Sequence, residues 1–301
     1  MMNSDQRIII APDKQSVIAE NGPMRLVIKA WHNGVFQMEA AIQAAKFSFS
    51  CLKQVAGHLQ YLKKINPVLP EGEENSISMR MMESVRMIGD KDLTPMAAVA
   101  GSIADEVADR LFAMETGKVI VDNGGDIAIR LSGLERAKVG LRTDLNSKEI
   151  SHIMELDARS LSWGVATSGL GGRSFTKGIA SAATVVAKTS SKADAAATSI
   201  ANACFCRDKN IVQVPAGLIN PDTDIPDIPV TVSVGELSPE TIRTALENAL
   251  GKAEEYVEKG FIHGALIAAG GSVVITNRFN EHVAFIQDRF KEKSSKMIDG
   301  I

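Results

Sequence analysis

In the alanine-rich run SKADAAATSIANA (191–203), Asp194 and Thr198 are four residues apart, which puts them on one face of a helix at 3.6 residues per turn. A carboxylate and a hydroxyl so placed offer two hard oxygen donors, the kind Mg²⁺ takes when it is shared with a substrate phosphate. The alanines around them would leave that face open to something bulky. The same residues have a structural reading. Ser191-Lys-Ala-Asp194 fits a capping box in which Asp194 satisfies backbone N–H groups at the helix start, and Thr198 could bond back to a carbonyl. Asn123-Gly124-Gly125-Asp126 is a second candidate, because backbone without Cβ lets a ligand lie against it, although the same residues also make a hairpin turn. The third is TSGLGGRSFTKG (167–178), either a flexible loop or a nest of N–H groups around a diphosphate with Arg173 or Lys177 alongside. It is not a Walker A loop, since no Gly-Lys-Ser/Thr follows at the required spacing.

The thiols and imidazoles give less. Cys204-Phe-Cys206 has neither a second pair nor a nearby histidine, which argues against structural zinc and leaves a redox or sulfur-relay thiol open. His32, His58, His152, His263 and His282 are scattered, without a metalloprotease or triad context.

The elements that must hold these residues can be read from periodicity. Residues 7–11 and 24–30 read as strands, 37–65 as one long amphipathic helix, 66–75 as a surface connection and 76–88 as a second helix. TPMAAVAGSIADEVADRL (94–111) is a third, with Thr94 as N-cap and Pro95 in the first turn. KVIVDNGGDIAIRL (118–131) reads as two strands around Asn123-Gly124. From 164 a strand runs into the glycine loop, followed by a strand over 180–187 and the helix carrying Asp194. The proline- and aspartate-rich stretch 207–235 reads as an irregular excursion, 238–260 as a helix opened by Ser238-Pro239, and the tail as ending in one more strand. Strand and helix patterns mix without strict alternation, so the expected class is α+β, a single fold over 1–301 with two lobes.

With 301 residues, 45% of them apolar, the chain can bury a large core. The formal charge of −3 and the absence of a Lys/Arg block give no footprint for nucleic acid or a membrane surface. No apolar run approaches a membrane span, and MMNSDQRIIIAPDK lacks the features of a signal peptide. Three cysteines make no disulfide framework, so a cytoplasmic setting is expected.

Taken together, TPMAAVAGSIADEVADRL, VDNGGDIAIRL, GVATSGLGGRSFTKGIASAATVVA and ADAAATSIANA resemble, in order and spacing, the blocks of the ApbE-like superfamily, and more narrowly its UPF0280 branch, best over about residues 90–205. That resemblance implies an ApbE-like fold of mixed and antiparallel sheet with packed helices, and a site for a flavin nucleotide, FAD or FMN. The better-known ApbE-like enzymes use Mg²⁺ to transfer FMN from FAD to a Ser or Thr of a target protein. By this resemblance Asp194 and Thr198 match the metal-binding pair. Asn123, Gly124, Gly125 and Asp126 match the Gly-Gly-Asp turn, Thr167, Ser168 and Gly169 the loop beside the flavin, and Asp105 the acid ending the first block. Arg173 and Ser174, next in the glycine loop, join the cofactor-binding set. Two departures bear on transfer: Ala100 stands where transferases carry Lys, and RSFTKG replaces a His-x-x-Asp-Pro segment, so no catalytic residue is assigned. The implied partners are the nucleotide and a protein target or redox partner, with homo-oligomerisation left open. The UPF0280 resemblance also implies an alternative, an accessory factor in anaerobic sulfur metabolism that helps incorporate sulfur into homocysteine, with Cys204 and Cys206 as its thiols.

Overall fold

The structure, a computed structural model, describes residues 5–72, 76–277, 279 and 284–286. Residues 1–4 of the N-terminal stretch, 73–75 of the surface connection, and His282 lie outside the described residues. The chain opens with β1 (Arg7–Ile10), β2 (Val17–Asn21), β3 (Met24–His32) and β4 (Val35–Phe36), then α1 (Met38–Gly57), α2 (Leu59–Leu62) and α3 (Ile77–Ile88). A 3-10 turn at Pro95–Ala98 leads into α4 (Val99–Phe112). Five strands follow: β5 (Lys118–Asn123), β6 (Asp126–Leu131), β7 (Arg136–Leu141), β8 (His152–Asp157) and β9 (Ser162–Ser168). After β10 (Ala182–Ala187) come α5 (Ser190–Ala203), β11 (Ile211–Pro215), β12 (Pro229–Val234), α6 (Pro239–Glu258), β13 (Gly264–Ala269), β14 (Ser272–Ile275) and β15 (Ala284–Ile286).

Ten strands form the main sheet in the order β1-β2-β3-β5-β6-β9-β10-β13-β14, with β4 beside β3 and every described pairing antiparallel. The helices pack on one face. On the other lies a second sheet in the order β15-β8-β7, whose Val139, Leu141, Met154 and Leu156 close a smaller core against Ile129, Val165 and Leu266. The α+β class is therefore what folds. Because β10 and β13 are covered on both faces, every residue of AATVVA and GALIAA is buried, and neither strand shows the alternation of a half-exposed one.

Several expectations need correction. The helix expected over 37–65 breaks after Gly57 and resumes only as the short α2. The segment 94–111 opens as a 3-10 turn capped by Thr94, which accepts from the Met96 N–H, before α4 begins. The stretch 207–235 is not irregular throughout, since β11 and β12 pair into a two-stranded sheet. The tail folds as the hairpin β13–β14 rather than one strand. Among the described residues, no helix is long and apolar enough to cross a membrane.

Candidate functional site

Two helices position the centre of the site by capping each other. Asp105, fully buried in the middle of α4, accepts the first N–H groups of α5, from Ser190 at 3.1 Å and Ser191 at 2.8 Å. In return Asp194, one turn into α5, accepts the Gly101 N–H at 3.0 Å at the start of α4, and the Ala100 N–H also points to it. Each carboxylate thus meets the positive end of the other helix. The helices approach closely because residues at the contact are small. A Cβ on Gly101 would lie 2.4 Å from the Ser190 carbonyl oxygen.

This arrangement replaces the capping box expected at Ser191–Asp194. The N-cap of α5 is Thr189, which accepts from the Lys192 N–H. It also changes the meaning of the alanines. Ala193, Ala195, Ala196, Ala197 and Ala201 are buried in the core and present no bare face to a ligand, whereas Asp194 and Thr198 line a cleft of ≈ 470 Å³.

That cleft collects Asn123, Gly124, Gly125, Asp126, Thr167, Ser168, Gly169, Arg173, Ser174, Asp194 and Thr198 on its walls. Of the metal- and cofactor-binding residues assigned with the family resemblance, Asp105 alone stays outside. Its carboxylate is committed to the α5 N-terminus and to Arg130, whose Nη2 donates to it at 2.9 Å. Arg130 in turn donates to Asp109 at 2.8 Å, and Arg80 spans Glu106 and Asp109 at 2.9 Å each. Asp105 organises the two helices from behind the cleft.

On the cleft wall, β5 and β6 turn at Gly124-Gly125, with Asn123 and Asp126 as the closing pair, so the turn centre sits one residue later than Asn123-Gly124. Both glycines have positive φ, 71° and 112°. Arg173 explains the first one further. Its guanidinium donates to the carbonyls of Pro23 at 2.9 Å and Asn123 at 3.3 Å, and a Cβ on Gly124 would fall 1.7 Å from Nη2. Asn123 donates to the Ala100 carbonyl at 3.1 Å and so ties the turn to the start of α4. From β9, Ser168 contributes a buried hydroxyl oxygen with no hydrogen-bond partner among the described residues.

Electrostatics single out two carboxyls. Asp126 is pushed up to about 7 by burial and then by Asp122, against the pull of Arg173 and the Thr167 N–H. Asp194 is pushed well above the usual range by burial and by the charge of Asp126, and the N–H groups of Gly101 and Ala100 offset this only in part. Both carboxyls therefore hold protons in the folded state where unfolded aspartates, at about 3.9, have lost them. The folded chain then binds more protons than the unfolded chain above about pH 4, and the stability linked to Asp126 is complete below about pH 4 and lost as pH rises through about 7. Asp126→Asn is expected to flatten the fall in melting temperature between roughly pH 5 and 8 in the presence of chelator. An unchanged slope in calorimetric scans of the variant would refute the assignment.

Other candidates lie elsewhere. Lys177 pairs with Asp92 beside an adjoining hollow of ≈ 290 Å³, which shares Arg173, Ser174 and Thr198 with the cleft. None of the four described histidines lines the cleft. Cys204 is buried with its thiol pushed up to about 12 by burial, and Cys206, also raised by burial, donates to the Thr241 carbonyl. Neither thiol is depressed in the way that marks a reactive cysteine. Asp122 and Arg142 line the cleft and were not singled out from sequence. The alternation of β5, whose buried positions are Val119, Val121 and Asn123, already sets Asp122 on the other face. Arg142 follows a strand that gave no distinctive signal.

A family model described as AbpE bacteria matches residues 8–275. The chain belongs to this family. Among curated relatives, a UPF0280 protein of Methanosphaera stadtmanae is 31% identical over 151 residues, 50% of this chain and 59% of the relative. Another from Methanococcus maripaludis is 33% identical over 174 residues, 54% of this chain and 68% of the relative. The match to the first thus spans less than two thirds of its length. In fold, this AbpE-family chain is similar to the Pseudomonas stutzeri flavinyl transferase ApbE in its apo form, with a TM-score of 0.52 at 13% identity, covering 94% of this chain and 100% of that one.

Proposed function

We propose that the cleft binds a flavin nucleotide, FAD or FMN, together with Mg²⁺. The observation that carries this reading is the meeting of the Gly124-Gly125 turn, the end of β9 and the Asp194–Thr198 face of α5 in one cleft, with the buried Ser168 hydroxyl awaiting a partner. The donor set suits a hard cation. Asp194 and Thr198 offer oxygens, with the raised carboxyl of Asp126 nearby, and a cation would favour the ionised forms that burial, and then the neighbouring carboxylates, disfavour. Among the described residues no group of three or more His, Cys, Asp and Glu could hold a metal, so water and ligand phosphate would complete the shell. Bound Mg²⁺ would neutralise phosphate charge in the ligand. Arg173 adds a fixed positive charge on the turn, and the glycines let the nucleotide lie against backbone.

Support also comes from the family and from the fold shared with a flavinyl transferase. Ala100 lines the cleft and brings no charge where the transferases carry Lys, so AMP release from FAD is expected to be absent or very slow while binding persists. The decisive test is titration with FAD in the presence and absence of Mg²⁺. A ligand that binds only the folded state at a hundredfold excess over Kd stabilises it by about 2.7 kcal/mol, which raises the melting temperature. No calorimetric heat and no melting shift at millimolar FAD would overturn the reading.

A further inference from the structure

Beside the cleft, on the same face of the main sheet as β7, runs a second groove of ≈ 510 Å³. Its floor is aliphatic, built from Val27, Ile120, Ile127 and Ile129, and it joins the cleft through Asp122, Ile127, Val139, Gly140 and Arg142. One wall is β7, the outer strand of the order β15-β8-β7. Among the described residues, the backbone of 136–140 makes no hydrogen bond outside its ladder with β8, so every second N–H and C=O of this strand faces outward unpaired.

The groove is strongly basic. Lys29, Lys138, Arg142 and Lys148 line it against a single lining acid, Asp122, with Lys138 also 3.9 Å from Glu155, although the chain as a whole carries −3. Lysine on an exposed edge is a common guard against aggregation, and that accounts for Lys138. It does not account for Lys29, in the interior of the main sheet, or Lys148, in the loop after β7. These two converge on the groove from different elements and make no hydrogen bond or ion pair among the described residues.

We propose that the edge of β7 and the basic groove beside it dock an extended, acidic segment of a partner polypeptide, which adds as a fourth strand to the small sheet and reaches the mouth of the cleft at Arg142 and Gly140. Strand addition supplies affinity through backbone pairing. The aliphatic floor and cationic rim select alternating apolar and acidic side chains. A second copy of this chain is the weaker occupant, since pairing β7 with itself would set the cationic rim against its own image. The inference does not depend on which nucleotide the cleft holds.

The test uses the full chain and a fluorescein-labelled, end-blocked peptide Asp-Val-Asp-Val-Asp-Val, followed by anisotropy. Binding is expected to weaken with salt and to fall about tenfold or more, at least 1.4 kcal/mol, when alternate peptide amides are N-methylated or when Lys29→Glu and Lys148→Glu are combined. The double variant's melting temperature is checked first, and single variants replace it if it fails to fold. A Lys-Val counterpart should not bind. Equal binding of the N-methylated peptide, equal binding of the Lys-Val peptide, or no binding at about 1 mM would each overturn the proposal. A concentration-dependent dimer in sedimentation velocity that excludes the peptide would assign the edge to a second copy and overturn it as well.

Discussion

Asp105→Ala is expected to cost about 3–5 kcal/mol of stability, the range found when one partner of a buried ion pair is removed. Arg130, almost fully buried, would lose the carboxylate that its Nη2 meets at 2.9 Å, and the N–H groups of Ser190 and Ser191 would lose their acceptor. Arg130 would keep Asp109, so the network should weaken rather than vanish. Asp105→Asn should cost less, because the amide oxygen can still accept one backbone N–H. Urea unfolding gives the energy, and FAD titration of the remaining folded protein separates the two roles of this residue. A normal unfolding midpoint with lost nucleotide affinity would move Asp105 into the binding site. A lowered midpoint with affinity retained would leave it behind the cleft, where its contacts place it.

Asp194→Asn should have the opposite profile. The substitution keeps an oxygen able to accept the Gly101 N–H and replaces an ionisable group facing Asp126 with one that stays neutral at every pH. Folding should therefore be spared, and stability above pH 7 without divalent cation should not fall. Under the proposed function, nucleotide binding should lose its Mg²⁺ dependence, because a neutral amide is a poor ligand for a hard cation and Thr198 alone cannot hold it. The expected loss of affinity in Mg²⁺ buffer is about tenfold to a hundredfold, the span measured when groups supporting a metal site are removed. Isothermal titration at matched pH with Mg²⁺ and with chelator checks this. Mg²⁺ dependence equal to that of the unaltered protein would return Asp194 to a purely capping role on α4.

Much of the candidate cleft was legible in the sequence because its parts are local. The Gly124-Gly125 turn and the start of the 3-10 segment at Thr94-Pro95 are set by residues adjacent in the chain, whose backbone preferences act without tertiary help. Helical spacing put Asp194 and Thr198 on one face, and the order of the four motifs pointed to the family. What spacing could not decide was which of two equivalent-looking carboxylates faces the cleft. Asp105 and Asp194 sit on similar alanine-rich helices, and each caps the other's helix. Only the packing of α4 against α5 on the sheet turns one toward the buried Arg130 and the other toward Asp126. The Ser191–Asp194 capping box failed for the same reason, since Thr189 caps the helix and Asp194 instead takes another donor pair, the N–H groups of Ala100 and Gly101, across the helix interface. The basic groove was equally hidden. Lys29, Lys138, Arg142 and Lys148 are dispersed over some 120 positions of a mildly acidic chain, and they meet only because the second sheet lies across the main one with its β7 edge open.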